Sequence, residues 1–417
     1  MFAFMRTERR IMAVGHLDAD CFYVSAERVR DEFLVGKPVG VLGNQGACVI
    51  AKSYEMKAAG VKTGEPIWEA LAKCPGGIYL KRDFRWYEVL SRLMLDLARE
   101  ISPRVEYYSI DEFFFQAEAE RGRTLQDLAV SIRDLIGERL GVPVTVGIAR
   151  TRTLAKLISD TAKPAGARAV LDRDEERQLL AGLPVTEITG IAGRRAARLS
   201  PWGITTCLHL ADADRRLIRE LLTASGETLW WELNGDPAQA IQTQRPAHKT
   251  LSRGGSFGEA TAEPAVLYAW LVRNLERLIE ELRFHGVAAG RLTVAVSYKT
   301  GHAGVGQKTL AIPSDRFDVL LEAARPCLRQ AWIRGELAAR MHLIAERLVP
   351  RGQYALDLFD PPAQRIRAEA VARLKEQVND RHGRFALRSG ATLHLPAIYR
   401  DETNAYDICD VRGKICF

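Results

Sequence analysis

Two neighbouring carboxylates, Asp111 and Glu112, stand inside the stretch Tyr107-Tyr108-Ser109-Ile110-Asp111-Glu112-Phe113-Phe114-Phe115. Aromatic and β-branched residues on both sides favour strands and Ser109 favours a turn, so the stretch predicts a buried hairpin with acids at its tip. Carboxylates at such a place are costly to desolvate unless they are paired or hold a cation. A lone Asp-Glu pair is most often a plain surface turn. A second acidic strand end changes that reading. His16-Leu17-Asp18-Ala19-Asp20-Cys21-Phe22-Tyr23 follows the apolar run Ile11–Val14 and passes into the helix-like Val24–Val29. Acids so far apart in the chain meet only in a compact sheet. Three carboxylates around one point require cations, and hard oxygen donors with water to spare suit Mg²⁺. A two-metal site for in-line phosphoryl displacement uses this equipment.

The segments around these acids alternate strand and helix signals. Apolar runs at Ile11–Asp18, Val39–Leu42, Ala47–Ala51, Val105–Tyr108, Glu112–Phe115 and Val144–Ala149 predict strands, and Trp86–Ile101 and Leu125–Leu140 have helical spacing. With residues 24–82 set aside as an insertion, a β-α-β-β-α-β order remains, the ferredoxin-like plan. After a polar linker around Gln242–Lys249 the same order returns without sequence identity to the first module. Its candidates are strands at Leu251–Phe257, Leu292–Tyr298, Gln307–Ile312 and His342–Leu348, and helices at Ala265–Phe284 and Phe317–Ile333. The fold class is therefore α+β. The chain has 417 residues, too many for one core, and a net charge of +7. Lys and Arg outnumber Asp and Glu between Arg245 and Pro350, which favours a polyanionic partner for the second module. Seven cysteines without a Cys-x-x-Cys pair fit reduced thiols. No apolar leader region opens the chain and no run approaches the ~18 apolar residues of a membrane span, so the expectation is a cytoplasmic, nucleoid-associated protein with no membrane partner.

Asp18-Ala19-Asp20-Cys21-Phe22-Tyr23 and Ser109-Ile110-Asp111-Glu112 resemble the two metal motifs of Y-family (translesion) DNA polymerases. The resemblance continues through Gly46–Lys62, Thr145–Ala149, Leu154-Ala155-Lys156 and Ala162-Lys163-Pro164, and is greatest to the UmuC branch, the catalytic subunit of DNA polymerase V. It implies a right-hand polymerase: a palm at 1–23 and 83–175, small fingers at 24–82, a helical thumb at 176–241, a ferredoxin-like little finger at 242–350 and a tail at 351–417. It also implies an error-prone, template-directed polymerase acting in the SOS response to DNA damage. By match to the motifs, Asp18 and Asp111 would ligate two Mg²⁺ ions, Glu112 the catalytic one, and Ala19 would offer its carbonyl; Asp20 is not expected to be a ligand. Cys21, Phe22 and Tyr23 would line the nucleotide, Tyr23 as the gate against a ribose 2′-hydroxyl. Tyr54, Lys57 and Lys163 would hold the β- and γ-phosphates, with Lys57 a point charge where many relatives carry an arginine fork. No role falls to the eight histidines. Phe113 and Gln116 depart from the usual Ala and Asp after the second motif.

Thr189–Leu199 followed by Trp202-Gly203-Ile204-Thr205-Thr206 resembles a helix-hairpin-helix, whose backbone N–H groups meet a DNA phosphate without reading sequence; Gly190, Gly193 and Arg194 are the expected contacts. Arg253 is a further DNA-binding candidate. Relatives read Ser-Arg-Ser-Phe-Gly where this chain has Ser252-Arg253-Gly254-Gly255-Ser256-Phe257-Gly258, two residues longer. Beyond Pro350 a charged helical stretch is expected at Arg365–Asn379, and the last thirty residues carry no fold signal. Leu356-Asp357-Leu358-Phe359 resembles the end of the peptide with which bacterial polymerases dock on the sliding clamp, with Ala355 where that peptide has glutamine. Partners implied are primer-template DNA, dNTPs, the clamp, a processed UmuD-like dimer and RecA. Two other functions use the same residues: a catalytically silent DNA-binding adaptor, disfavoured by retention of all three acids, and a nucleotide cyclase, for which the helix-hairpin-helix and basic module have no use.

Overall fold

The computed structural model describes residues 13–43, 48–119, 122–244, 246–353, 362–382 and 386–395. They form two compact units that divide at Arg245/Pro246. Among the described residues no helix is long and apolar enough to cross a membrane.

The first unit opens with β1 (Ala13–Ala19), which runs through a turn at Asp20 and Cys21 into α1 (Phe22–Arg30). A small layer follows: β2 (Val39–Leu42), β3 (Val49–Lys52), α2 (Tyr54–Ala58), α3 (Ile67–Lys73) and β4 (Ile78–Lys81). Its sheet has the order β3-β2-β4 and closes over Val49, Met56, Val61 and Ala70. The chain then returns through α4 (Phe84–Ile101), β5 (Val105–Tyr107), β6 (Glu112–Ala117), α5 (Leu125–Leu140), β7 (Val144–Ala149), α6 (Arg152–Ala162) and β8 (Ala167–Ala169). The large sheet has the order β5-β6-β1-β7-β8. Without the edge strand β8 this is the ferredoxin-like arrangement, and the 39–81 layer lies within the stretch 24–82 set aside from it. Helix ends follow local chemistry. Thr124 and Asp127 form a reciprocal capping box at the start of α5, and Gly141 ends it in the left-handed conformation at φ 67°.

Pairing of β1 with β6 sets Asp18 opposite Glu112 and Leu17 opposite Phe113. Opposed residues share a face, so Asp18, Glu112, His16 and Phe114 line one side of the sheet, and Leu17, Phe113 and Phe115 the other. Helix α6 packs on the acidic side. It comes close because β7 presents Gly147 there: a Cβ at that position would lie 2.4 Å from the Ala155 carbonyl oxygen and 2.5 Å from the Ser159 nitrogen. From α6 the core passes to α7 (Arg173–Gly182), α8 (Gly193–Leu199), α9 (Cys207–Asp212) and α10 (Arg215–Leu233), around Leu154, Ile158, Leu180, Ile188, Leu199 and Ile218. Helix α10 is broken at Thr223, where φ is 67° and ψ −167°.

The second unit comprises β9 (Thr250–Thr261), α11 (Pro264–Phe284), β10 (Val287–Tyr298), β11 (Ala303–Ser314), α12 (Phe317–Ala331), β12 (Ala338–Pro350) and α13 (Pro362–His382). The succession is the predicted β-α-β-β-α-β, but the sheet order β11-β10-β12-β9 differs from that of the first unit. In the first sheet the second strand of the central hairpin lies inside; here it is the first. The strand that goes inside is the one that brings a continuous apolar row to the core. Ala288, Ala289, Leu292, Val294 and Val296 of β10 are all buried, whereas β11 is largely exposed. Gly254 and Gly255 continue the ladder, opposite His342 and Met341. A Cβ on Gly254 would fall 2.1 Å from the Met341 carbonyl oxygen, so glycine is needed for strand contact there. The extra length is absorbed after Ser256, where the register jumps to Thr261 opposite Ala338. Helix α13 overruns the expected Arg365–Asn379 at both ends, and Leu395 joins the core of this unit. Leu356, Leu358 and Phe359 lie outside the described residues.

The α6–β7 contact predicts that Gly147→Ala forces α6 away from the sheet and lowers stability by about 1–3 kcal/mol. Thermal or urea unfolding of the variant checks this; an unchanged midpoint would show that α6 yields without cost.

Candidate active site

The predicted hairpin forms, with the Tyr108 and Ser109 N–H groups both donating to the Glu112 carbonyl at 3.1 and 3.0 Å. Its tip is tied to β1 by the Ala19 N–H donating to the Asp111 carbonyl at 2.9 Å. Asp18, Asp111 and Glu112 are thereby brought to one end of the β1–β6 pair. Asp18 is buried, and Asp111 and Glu112 are half-buried. The Ser109 hydroxyl donates to Asp111 Oδ1 at 2.5 Å.

Lysines supply the countercharge. Lys163 Nζ lies 2.8 Å from Asp18 Oδ1, and Lys156 Nζ lies 3.0 Å from Glu112 Oε1. Burial pushes the Asp18 carboxyl up to about 7, against the pull of Lys163. Burial also raises Asp111, with the Glu112 charge adding to it and the Ser109 bond opposing. Burial acts the same way on Glu112, but His16 and Lys156 outweigh it and hold that carboxyl low. The site thus concentrates negative charge where water is scarce, and ammonium groups meet it. Among the described residues no three His, Cys, Asp or Glu side chains close on one point as an ion cage. The donor set nevertheless suits a hard divalent cation: it is all oxygen and anionic, and it already draws two ammonium groups to it.

Asp20 is committed elsewhere. It accepts from the Tyr54 hydroxyl at 3.1 Å, from Thr145 Oγ1 at 3.0 Å and from the Ala165 N–H at 2.7 Å. These bonds tie the β1–α1 turn to α2 and to the loop after Lys163. Cys21 opens α1 in the left-handed conformation. Burial raises its thiol pKa, and Lys57 opposes the shift. The Lys57 ammonium sits 4.3 Å from the centre of the Tyr54 ring. Phe22 is buried, and half-buried Tyr23 stacks on Tyr87 at 4.6 Å with an edge contact to Phe84. Cys21, Tyr54 and Lys57 therefore gather at the turn that carries Asp20, while Lys163 meets Asp18.

On the other side of Lys156 an open cavity of about 530 Å³ lies between the β5–β6 hairpin, α6 and the helices beyond, with Tyr108, Phe114, Arg152, Lys156, Gly190, Arg195 and Ser225 in its wall. Gly190 turns at φ 94° and its carbonyl accepts from Arg195 Nη1 at 2.9 Å. Gly193 begins α8 and Arg194 is exposed beside it. Arg253 has a different setting: its guanidinium is folded against α11 in an ion pair with Glu281.

Two residues without an assigned role belong to the site. His16 is fully buried under Glu112, with Nδ1 2.7 Å from Ser159 Oγ, Nε2 3.8 Å from Glu112 Oε2 and its ring 4.6 Å from Phe114. Burial lowers its pKa. Asp160 approaches both lysines, 3.2 Å from Lys163 and 3.7 Å from Lys156. Alternation along β1 puts His16 on the face of Asp18, and helical spacing puts Asp160 beside Lys156, but the meeting of the two elements is a tertiary event.

The fold is that of the Y-family DNA polymerases. A Y-family DNA polymerase chimera of Dbh and Dpo4 matches with a TM-score of 0.70 at 23% identity, covering 81% of this chain and 100% of that one. The insertion ternary complex of Dbh DNA polymerase matches with a TM-score of 0.53 at 22% identity, over 81% of this chain and 100% of that chain. Residues 17–160 match the impB/mucB/samB family, and residues 248–358 match the C-terminal domain of that family. Protein UmuC of Salmonella typhimurium is 30% identical over 387 residues, 89% of this chain and 91% of that protein. DNA polymerase IV of Bacillus velezensis is 29% identical over 387 residues, 91% of this chain and 93% of that protein. The chain belongs to the impB/mucB/samB family, and by class it is a Y-family (translesion) DNA-directed DNA polymerase.

Proposed function

We propose that the chain carries out error-prone, template-directed synthesis across damaged DNA in the SOS response, by two-Mg²⁺ nucleotidyl transfer. The observation that supports this most is the pairing of Asp18 against Glu112 with Asp111 beside them at the hairpin tip. Asp18 and Asp111 would hold both ions, Glu112 the catalytic one, and the Ala19 carbonyl would complete the set. Bound there, Mg²⁺ would neutralise triphosphate charge and lower the pKa of the primer 3′-hydroxyl.

The remaining work belongs to the chain's own groups. Lys163 and Lys57 are cationic ends on flexible stems, suited to the β- and γ-phosphates, and the Tyr54 ring lies against the Lys57 ammonium. The turn at Cys21, Phe22 and Tyr23 would face the sugar, with the Tyr23 ring packed against Tyr87 and Phe84 as a wall against a 2′-hydroxyl. A rigid aromatic wall excludes by contact, which needs no charge. In the palm, fingers and thumb division, Gly190, Gly193 and Arg194 of the thumb grip duplex phosphates without reading sequence. The cationic wall of the 530 Å³ cavity suits the same backbone close to Glu112. The second unit acts as the little finger; Arg253 joins it on DNA only by leaving Glu281. Recruitment to the sliding clamp rests on Leu356, Leu358 and Phe359, with a processed UmuD-like dimer and RecA as further partners and the nucleoid in the cytoplasm as the place of action.

Asp111→Ala with Glu112→Ala is expected to abolish primer extension in Mg²⁺ while primer-template affinity stays within about two-fold, because affinity rests on phosphate contacts. Substantial extension by that double variant would remove the polymerase chemistry from these residues. For the sugar gate, Tyr23→Ala is expected to raise ribonucleotide incorporation far more than it lowers deoxynucleotide incorporation. Equal losses with both substrates would make Tyr23 only a packing residue of the Tyr87 stack. The clamp reading predicts that Leu358→Ala with Phe359→Ala weakens retention on immobilised clamp. The absence of glutamine at Ala355 already costs about 1–2 kcal/mol, roughly ten-fold in affinity. Retention indifferent to both changes places recruitment elsewhere.

A further inference from the structure

Each lysine that neutralises the carboxylate site is shared with a fourth acid, Asp160. Lys163 Nζ lies 2.8 Å from Asp18 and 3.2 Å from Asp160. Lys156 Nζ lies 3.0 Å from Glu112 and 3.7 Å from Asp160. The geometry has a local origin. Lys156 and Asp160 are four residues apart on α6, a spacing that places their side chains together on one helical face, and Lys163 caps the end of the helix three residues beyond Asp160. Gly147 lets the α6 backbone at Ala155 and Ser159 come close to β7, which sets where the helix stands.

A divalent cation takes a carboxylate oxygen at about 2.1 Å, and an ammonium already on that oxygen repels it at close range. The lysines must therefore leave Asp18 and Glu112 before those oxygens ligate a metal. Leaving for no partner would strand two cations in a half-buried cleft. Asp160 offers the alternative: its side chain is 31% exposed against 7% for Asp18, so an ion pair there sacrifices less hydration. The four-carbon stem of lysine allows the pivot without movement of α6.

We propose that Asp160 is a positioning residue that receives Lys163, and secondarily Lys156, when the catalytic carboxylates exchange ammonium for a divalent cation. Asp160 touches neither the metal nor the nucleotide in this role; it acts through the lysines. The inference rests on the metal-site reading of Asp18, Asp111 and Glu112.

Mn²⁺ binding to the full-length, nucleotide-free protein, followed by loss of the free-ion electron paramagnetic resonance signal, tests it. Asp160→Asn is expected to weaken Mn²⁺ binding by roughly five-fold, Asp160→Glu to stay near the parent, and Lys163→Met to tighten binding. The decisive comparison is Asp160→Asn in the Lys163→Met background, where its effect should shrink to less than about two-fold because its main partner is gone. An equal loss in both backgrounds, or no loss in either, overturns the proposal, since Asp160 would then act as a distant charge or not at all. If Asp111→Ala leaves Mn²⁺ binding unaltered, the metal-site reading fails and the proposal with it. That outcome is distinct from site-specific binding with an additive cycle, which removes the role of Asp160 alone. Near-parental binding and melting of Asp160→Glu separate loss of charge from loss of folding.

Discussion

Three acids held at the end of one strand pair impose a demand that much of the first unit answers. The β1–β6 ladder brings Asp18 against Glu112, and the hairpin tip adds Asp111 to the same end. Desolvated carboxylates so close together repel one another and favour protons unless positive charge is near. Helix α6 delivers that charge through Lys156, and the turn after it through Lys163. The position of α6 depends in turn on a missing side chain at Gly147. Charge, helix placement and glycine form one dependency.

The turn between β1 and α1 is organised by a different acid. Asp20 has its oxygens occupied by Tyr54, Thr145 and the Ala165 backbone, so it works as a junction between the sheet, the small 39–81 layer and the loop carrying Lys163. Two acids two residues apart on one chain thereby divide labour. Asp18 faces the countercharged cleft, and Asp20 is saturated by neutral donors. The candidate phosphate ligands Tyr54 and Lys57 are positioned by Asp20 and by the cap at Ser53, whose side chain accepts from the Met56 N–H.

In the second unit the excess of basic residues is partly spent on the fold. Arg253 is paired with Glu281, Lys375 with Glu276, and Arg283 with both Asp315 and Glu376. The last three pairs tie α11 to α13 and to the loop before α12. A count of charges along the chain therefore overstates what is available to a polyanion.

The sequence by itself determined the local elements. Strong alternation and clear ends made Val39–Leu42, Leu125–Leu140 and Val144–Ala149 legible to the residue, and Ser109 marked the turn that presents Asp111 and Glu112. The ordered motifs were enough to identify the family, and the convergence of the two acidic strand ends followed from their strand contexts. Tertiary structure decided what depends on neighbours remote in the chain. It put β10 rather than β11 inside the second sheet, moved the irregularity of β9 beyond Gly254 and Gly255, and turned Arg253 onto Glu281. It also brought His16 and Asp160 into the charge network, where no motif marks them. Hydrogen-bonded turns and helical spacing are written within a few residues. Burial, countercharge and close backbone approach are settled only when separate segments compete for the same space.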